Sequence, residues 1–361
     1  MSARATPTAP APPGPRHDVR LRTEAWEAER LAGGATRSTG AGDRDRPEPP
    51  DPLRTAFQRD RDRILHSPSF RRLKHKTQVF ISPDGDHFRT RLTHTLEATQ
   101  IARTIARSLA LNEDLAEAIC LGHDLGHTPF GHLGETVLTE MLGRPFHHAA
   151  HSVRIVEVLE AKPAGLNLTA EVRDGMVHSS WNQPEPSTHE AWVVRFADRI
   201  AYLNHDVDDA LAAGILDEAE IPPDVGAILG TTSSERITTL VTDLVEASDV
   251  SEPFGSCAGL RMSPHVFTVM DGLRDFMFER VYLSPELQRE TERASALLRN
   301  LMQWYLADRS RLPESAGVAG DSYEQRVADF IAGMTDRFAV ATYESIFLPH
   351  SPAGPGEALP R

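Results

Sequence analysis

The sequence predicts an all-α fold, because apolar residues recur at helical spacing over long stretches while strand patterns are scarce. In "RLTHTLEATQIARTIARSLAL", the apolar residues from Leu92 to Leu109 follow one another every four or five positions, which places them on one face of a helix. Alternation of apolar and polar residues, the pattern of a half-buried strand, is rare, and no internal repeat is visible. We therefore expect helices packed against helices.

The following helices are predicted in chain order from periodicity and from capping or breaking residues. Asn112 is a favourable N-cap for "EDLAEAICLGHD", and Gly126 and Pro129 should end that helix. Helical periodicity also occurs in "HLGETVLTEML", "AWVVRFADRIAYLNHDVDDALAAGI", "PELQRETERASALLRNLMQWYL" and "YEQRVADFIAGMTDRFAVATYESIF". We expect the last of these to be one continuous helix.

Composition divides the chain into three parts. Residues 1–51 are rich in Pro, Ala and Arg and offer too little apolar surface to fold, so we expect a disordered segment there. Residues 52–350 form the predicted helical domain, which is long enough to bury a core without disulfides. Residues 351–361 are expected to be a flexible tail.

Composition also limits the location and the partners of the protein. The chain has 2 cysteines, no apolar run long enough for a membrane span and no secretory signal, so we expect a cytoplasmic protein without a membrane partner. The net charge of −14 is unfavourable for a general nucleic-acid binder. The local basic cluster "FRRLKHKTQ" is compatible with an anion site and equally with a solvated helix face.

The densest group of chemically active residues is "ICLGHDLGHTPFGHLGE", where an apolar helix runs into a glycine-rich turn. His123 and Asp124 are adjacent there, and His94 and Asp198 lie on two other predicted helices. Two imidazoles and two carboxylates suit Mn²⁺, Fe²⁺ or Zn²⁺, and suit Mg²⁺ less well. Any one of these histidines is more often a hydrogen-bonded core residue, whereas a buried aspartate without a cation is costly. Spacing alone leaves both interpretations open.

Five blocks of sequence in chain order resemble one family. They are "FQRDRDRILHSPSFRRLKHKTQVF", "RLTHTLEATQIARTIARSLALNEDLAEAICLGHDLGHTPFGHLGE", "GLNLTAEVRDGMVHSSW", "VVRFADRIAYLNHDVDDALAAGIL" and "DFIAGMTDRFA". Together they are similar to the HD-superfamily deoxynucleoside triphosphate triphosphohydrolases of the bacterial dGTPase type. The resemblance covers about residues 57–345 and implies an HD-domain helical bundle with additional C-terminal helices. It also implies hydrolysis of a dNTP, with dGTP as first candidate, to a deoxynucleoside and inorganic triphosphate.

The resemblance assigns roles to individual residues of this chain. It implies a divalent cation, Mn²⁺ or Mg²⁺ before Fe²⁺, Co²⁺, Ni²⁺ or Zn²⁺, and water attack on the α-phosphorus. The implied metal ligands are His94, His123, Asp124 and Asp198. His132 and Glu135 would form a catalytic pair three residues apart on one helix face, and His127 would lie near the phosphate chain.

Substrate contacts are also implied by the resemblance. By this resemblance Tyr202 would pack where a ribose 2′-hydroxyl would sit, and Asp206 would accept from the 3′-hydroxyl. The spacing of four residues places both on one helix face with Asp198. Further contacts to phosphate, sugar or base are implied for Arg91, Arg199, Gln78, Lys74 and His148.

The chain departs from the family pattern at three positions. In "FHHAAHS", Ala149 and His151 replace the usual amide residues, and Trp192 replaces a Gln in "EAWVVR". The amides orient neighbouring groups through hydrogen bonds. Because the metal set and the "HLGE" pair are intact, we expect activity to survive and leave specificity open.

Two other classes of function stay open. Another HD phosphohydrolase, a phosphodiesterase or a guanosine tetraphosphate hydrolase, would share the metal set but leave the face of Tyr202 and Asp206 without a purpose. A non-catalytic nucleotide-sensing module is the second class, and the intact pair of His132 and Glu135 argues against it. The resemblance further implies a homo-oligomer and an allosteric site for a nucleotide or single-stranded nucleic acid.

Overall fold

The computed structural model describes residues 19–40, 44–78, 89–162 and 164–349, and over these residues it is helical and has no sheet. The β-type contacts among them are two isolated bridges, Thr77 with Thr90 and Asp249 with Gly259. The all-α prediction is therefore confirmed. The helices are α1 Val19–Arg30, α2 Ala56–Leu65, α3 Pro68–Arg72, α4 Arg91–Ser108, α5 Glu113–His123, α6 His132–Leu142, α7 His148–Arg154, α8 Ala170–Val177, α9 His189–Ala212, α10 Ser233–Ala247, α11 Pro264–Met277, α12 Pro285–Ala307, α13 Tyr323–Ala332 and α14 Asp336–Phe347.

Helix α5 lies at the centre of the fold and packs against α2, α4, α8 and α9. Its residues Leu115 and Ile119 are fully buried, which fixes the register in which the last turn delivers His123. Helix α9 packs along α4, so that Asp198 of α9 and His94 of α4 approach each other at the end of α5. In the described part of the chain, we find no helix with the length and apolarity needed to cross a membrane.

The buried apolar residues form two cores. The first is built mainly from α2, α4, α5, α8, α9, α10 and α11. The second joins α6 to the C-terminal helices, where Val137 and Leu138 pack with Leu298 and Leu301 of α12 and with residues of α13 and α14. Residues 124–131 connect α5 to α6, and this connection, which we call the site loop, therefore passes from one core to the other.

The ends of the helices follow from capping residues, and one prediction about them is wrong. Helix α13 ends at Ala332 and α14 begins at Asp336, so the C-terminal segment is not one continuous helix. The Thr335 hydroxyl accepts from the backbone N–H of Phe338 at 3.2 Å, a cap that starts a new helix. Asn112 caps α5 in the same way, as predicted.

The expectation of disorder over 1–51 is corrected where the structure describes that segment. Helix α1 forms there, and the chain after it docks through the buried carboxylate of Glu190. That carboxylate accepts from the N–H and hydroxyl of Thr36 at 2.9 and 2.8 Å, and from the N–H of Asn112 at 3.0 Å. Composition could not predict this contact, because it measures apolar surface, whereas a few polar bonds hold the segment. Residues 1–18 and 351–361, including the expected tail, lie outside the described residues.

Glu190→Gln should lower the free energy of unfolding by about 1–3 kcal/mol, because an amide group would turn toward one of the buried N–H donors. Urea denaturation followed by circular dichroism measures the change. Glu29→Gln is the matched control, since the Glu29 side chain is 73% exposed. This substitution should change the free energy of unfolding by less than about 0.5 kcal/mol. Equal stability of the two variants would contradict the role of Glu190.

Candidate active site

Four side chains from the predicted metal set converge at the C-terminal end of α5. His94 Nε2 lies 3.0 Å from Asp198 Oδ1. His123 Nε2 lies 3.4 Å from the same oxygen and 3.3 Å from Asp124 Oδ1. One donor atom each of His94, His123 and Asp124 lies within 4.8 Å of the other two. The structure thus brings these four residues together, and we call them the cage.

The electrostatics of the cage favour a cation. His123 Nδ1 lies 2.6 Å from the carbonyl oxygen of Cys120, which it can only meet as a donor, so Nε2 is directed inward. Among the described residues, this buried Nε2 has no hydrogen-bond partner. Burial would lower the pKa of His123, yet the carboxylates of Asp124 and Asp198 raise it well above its usual value. The carboxylates therefore stabilise positive charge at this nitrogen. A divalent cation bound to all four side chains would place positive charge at the same point.

Both carboxyl groups of the cage are ionised in spite of their surroundings. Burial alone would raise the pKa of Asp124, but the His123 imidazole, the hydrogen bond from His127 and the Arg91 guanidinium lower it well below its usual value. The pKa of Asp198 is lowered in the same way by its two imidazole neighbours. Ionised oxygen donors beside imidazole nitrogens are the mixed set that divalent transition metals accept.

A second group of side chains surrounds the carboxylate of Glu135 in the first turn of α6. Glu135 Oε1 lies 2.8 Å from His132 Nδ1 and 2.9 Å from His148 Nδ1, and Oε2 accepts the backbone N–H of His148 at 3.0 Å. Burial would raise the pKa of Glu135, but these hydrogen bonds and the nearby imidazoles hold it well below its usual range. The side chain of His132 is 77% exposed. A buried anion is thus paired with an imidazole that a substrate can reach.

His127 connects the cage with the Glu135 group. Its Nε2 lies 3.0 Å from Asp124 Oδ1, and its Nδ1 lies 3.4 Å from Glu135 Oε1. Its ring stacks on that of His148 with 3.9 Å between the centroids. Burial and the nearby Arg91 guanidinium lower the pKa of His127 well below its usual value. We therefore interpret His127 as a neutral ring that sets the spacing between the two groups.

Two glycines permit the site loop to pass between these groups. A Cβ at Gly126 would lie 2.2 Å from the carbonyl oxygen of His148. Gly131 has a φ of +60°, and a Cβ there would lie 2.6 Å from Arg91 Nη2. The glycine-rich composition of this stretch therefore reflects close backbone approach to catalytic candidates.

Two arginines assigned to phosphate lie buried beside the cage. Arg91 donates to Asp124 Oδ2 at 3.1 Å and to the carbonyl oxygen of Gln78 at 3.4 Å. Arg199 donates to Asp271 at 2.7 Å and lies over the ring of Trp181 at 4.7 Å. In both guanidinium groups the Nε atom has no hydrogen-bond partner among the described residues.

The residues assigned to the sugar, Tyr202 and Asp206, lie about one and two turns along α9 from Asp198 of the cage. Burial raises the pKa of Tyr202 to about 12, so its phenol is neutral. Asp206 Oδ2 accepts from the hydroxyl of Tyr282, whereas the buried Oδ1 has no described partner. Burial raises the pKa of Asp206 to about 7. Tyr282 could not be predicted as part of this site, because nothing in its local sequence distinguishes it from a core aromatic.

The predicted lysine of the basic cluster does not reach this arrangement. Lys74 is exposed in a short 3-10 turn after α3, and the described contacts do not join it to the site. Lys76 is buried instead, and its Nζ donates to the carbonyl oxygen of His127. The run of basic residues could not indicate which lysine turns inward, because turn geometry decides it.

The three departures from the family pattern lie in buried or half-buried packing. Ala149 is fully buried, and the His151 ring packs on Phe146 with 5.0 Å between centroids. Burial lowers the pKa of His151 to about 3. The Trp192 ring packs on Trp181 at 5.9 Å. His151 Nε2 and the indole nitrogen of Trp192 have no described hydrogen-bond partner. The effect of these departures on specificity stays a prediction.

Comparison with known proteins identifies two family regions and close relatives. Residues 91–203 match the family model described as HD domain, and residues 260–345 match the one described as phosphohydrolase-associated domain. A deoxyguanosinetriphosphate triphosphohydrolase-like protein of Caldanaerobacter subterraneus subsp. tengcongensis is 49% identical over 92% of this chain and 96% of its own length. A protein of the same name from Desulfatibacillum aliphaticivorans is 45% identical over 92% and 98%. A hypothetical protein of Aquifex aeolicus has a TM-score of 0.48 and 18% identity over 80% of this chain and 71% of that one.

Asp206→Asn should stabilise the metal-free protein more at about pH 8.5 than at about pH 5. The folded-state pKa of about 7 lies above the ordinary 3.8, so proton binding favours the folded state at low pH, and this contribution is lost as the pH rises through about 7. Urea denaturation of both proteins at the two pH values measures it. The exposed Asp275→Asn is the control, with changes below about 0.5 kcal/mol at both pH values. A pH-independent difference for Asp206→Asn would contradict the burial argument.

Proposed function

The chain belongs to the deoxyguanosinetriphosphate triphosphohydrolase-like family of HD-domain hydrolases, and from that premise we propose that it hydrolyses dNTPs to deoxynucleosides and inorganic triphosphate. The observation that supports this most is the bridge made by His127. Its Nε2 lies 3.0 Å from Asp124 of the cation-stabilising cage, and its Nδ1 lies 3.4 Å from Glu135 of the carboxylate–imidazole pair. The ring thus holds the cage and the pair next to each other. An α-phosphate at this junction would meet both, and dGTP is the first candidate substrate.

The cage residues would hold a divalent cation, with Mn²⁺ or Mg²⁺ first among the candidates. When bound, such an ion supplies polarisation of a phosphate oxygen and a water of lowered pKa. The inward Nε2 of His123 and the ionised carboxylates support this assignment. The fourth member, Asp198, has a side chain that is 24% exposed, so the cage is open on the side of α9.

The pair of His132 and Glu135 would handle the proton of the leaving group. The Glu135 carboxylate orients the imidazole through Nδ1, which leaves Nε2 of the exposed ring for the substrate. From there a protonated ring can give its proton to the departing 5′ oxygen. His148 contacts both carboxylate oxygens, Oε1 through its Nδ1 and Oε2 through its backbone N–H, and His127 keeps the pair at a set distance from the cage.

The proposed substrate contacts use the remaining side chains. Arg91 and Arg199 would exchange part of their present carboxylate contacts for phosphate oxygens, because guanidinium groups bind both in the same geometry. Tyr202 would block a 2′-hydroxyl, and the unpartnered Oδ1 of Asp206 would accept from the 3′-hydroxyl. Gln78 would contact the base or sugar edge. For Lys74 the family resemblance is the only support.

Purified protein incubated with each dNTP and Mn²⁺ or Mg²⁺ should release a deoxynucleoside and triphosphate, resolved by ion-exchange chromatography. Asp198→Asn should lose both bound metal and turnover, because one ionised oxygen donor of the cage is removed. Asp208→Asn is the matched control on the same helix, since Asp208 pairs with Arg236 at 3.3 Å and lies outside the cage. Release of pyrophosphate with a monophosphate, or metal retained by Asp198→Asn, would reject the proposal.

Glu135→Gln should lower kcat by about 10²–10⁴-fold while the metal content stays at the wild-type level, because the substitution removes the charge that orients His132 and leaves the cage intact. Metal analysis by mass spectrometry and steady-state kinetics on the same preparation separate the two effects. His265→Gln, on helix α11, is the control for loss of an ordinary histidine. Loss of metal together with turnover in Glu135→Gln would mean that the two groups are one site.

A further inference from the structure

Two buried charged groups outside the cage and the Glu135 group reach the site loop. Lys76 follows the 3-10 turn after α3, and Asp336 is the first residue of α14. The side chains of both are nearly inaccessible, with residue exposures of 2% and 6%. Neither has a part in the proposed reaction. Asp336 belongs to the "GMTDRF" segment, for which the proposed function gives no purpose.

Lys76 joins the site loop to the C-terminal helices. Its Nζ donates to the carbonyl oxygen of His127 in the loop and to the carbonyl oxygen of Ala332 at the end of α13, the latter at 2.9 Å. Because the Lys76 amino group has no access to water, these two carbonyls are the acceptors for two of its N–H donors. The position of the His127 backbone is therefore tied to the turn between α13 and α14.

Asp336 holds the same loop at a second point. Its Oδ1 accepts from the backbone N–H of Phe130 at 3.0 Å. Its Oδ2 accepts from the backbone N–H and the hydroxyl of Thr77 at 2.8 and 2.7 Å. One carboxylate thus links the loop to the segment that continues into Gln78. Its place in the first turn of α14 favours its negative charge.

The site loop needs external support at this point. Phe130 has a φ of +60°, a left-handed conformation that costs free energy in a residue with a Cβ. Such a conformation persists when surrounding contacts hold it in place, and the bond from its N–H to Asp336 is one of them. Two residues later the chain enters α6 at His132. A shift of Phe130 would therefore displace the catalytic pair.

We propose that Lys76, Thr77 and Asp336 form a clamp that positions the site loop and the substrate-binding segment, so that the C-terminal region completes the active site. This inference rests on the proposed function. The Lys76 side chain contacts the loop directly and should affect kcat. Thr77 supports the segment of Gln78 and should affect KM. Asp336 supports both. The three are positioning residues, because they act through His127, Phe130 and Gln78.

Three variants test the clamp. Lys76→Met should lower kcat about 10–100-fold with KM within about threefold, because small displacements of reacting groups are costly. Thr77→Val, which loses one hydrogen bond, should raise KM about three- to tenfold with kcat within about twofold. Asp336→Asn should change both constants. Each is measured on folded, metal-loaded protein by steady-state kinetics. Loss of folded protein alone cannot lower kcat in Lys76→Met and, at the neighbouring position, raise KM in Thr77→Val.

Asp321→Asn is the matched control. Asp321 is another carboxylate of the C-terminal region, and its Oδ2 accepts from Arg154 at 2.6 Å away from the site loop. Both kinetic constants should stay within about twofold of wild type, even if stability falls by about 1 kcal/mol. The clamp is refuted if folded Lys76→Met and Asp336→Asn turn over within threefold of wild type, or if Asp321→Asn loses as much.

Hydrogen exchange provides a readout that does not depend on turnover. In Asp336→Asn the backbone amides of residues 125–131 should exchange at least about tenfold faster than in wild type, and those of α10 should be unchanged. If wild-type protein hydrolyses no dNTP but this acceleration occurs, the proposed function fails and the clamp stands as a support of the loop. If exchange in residues 125–131 is unchanged, the clamp fails whatever the substrate.

Discussion

The site depends on keeping the Asp124 carboxylate ionised inside the protein. A lone carboxylate with 3% exposure would cost several kcal/mol to bury. The compensating charges and donors come from Arg91 at 3.1 Å and from the imidazoles of His127 and His123 at 3.0 and 3.3 Å. These partners belong to the start of α4, to the end of α5 and to the loop that follows. The fold must therefore bring the start of α4 to the continuous stretch from His123 to His127.

The packing of the helices follows from that requirement. Helix α5 is buried on several sides, which leaves little freedom for the turn that carries His123. The loop after it can return toward α7 because Gly126 lies against the backbone of His148. From the other side, the α13–α14 turn reaches the loop through Asp336. Packing of apolar surface thus sets the register, and a few buried polar bonds set the positions of the reacting groups.

The sequence predicted the features that depend on local pattern. Helix periodicity and the Asn112 cap located α5, and the resemblance of two blocks to a known family, one with His123 and one with Asp198, was enough to name the cage. Features that depend on turn geometry or long-range contact were not predictable. Lys74 and Lys76 differ only in which way a 3-10 turn directs them. Tyr282 meets Asp206 across 76 positions, and the chain after the N-terminal helix is held by distant partners such as the Glu190 carboxylate.

The two hydrophobic cores have a consequence for how such an enzyme can diversify. The cage is anchored in the first core, whereas Glu135 stands on α6, whose apolar face belongs to the second. Substitutions among the residues of α12 to α14 could move the Glu135 carboxylate by fractions of an ångström without altering the affinity of the cage for its ion. Enzymes descended from one ancestor could therefore change their turnover rate without changing their metal affinity, through mutations far from the nucleotide.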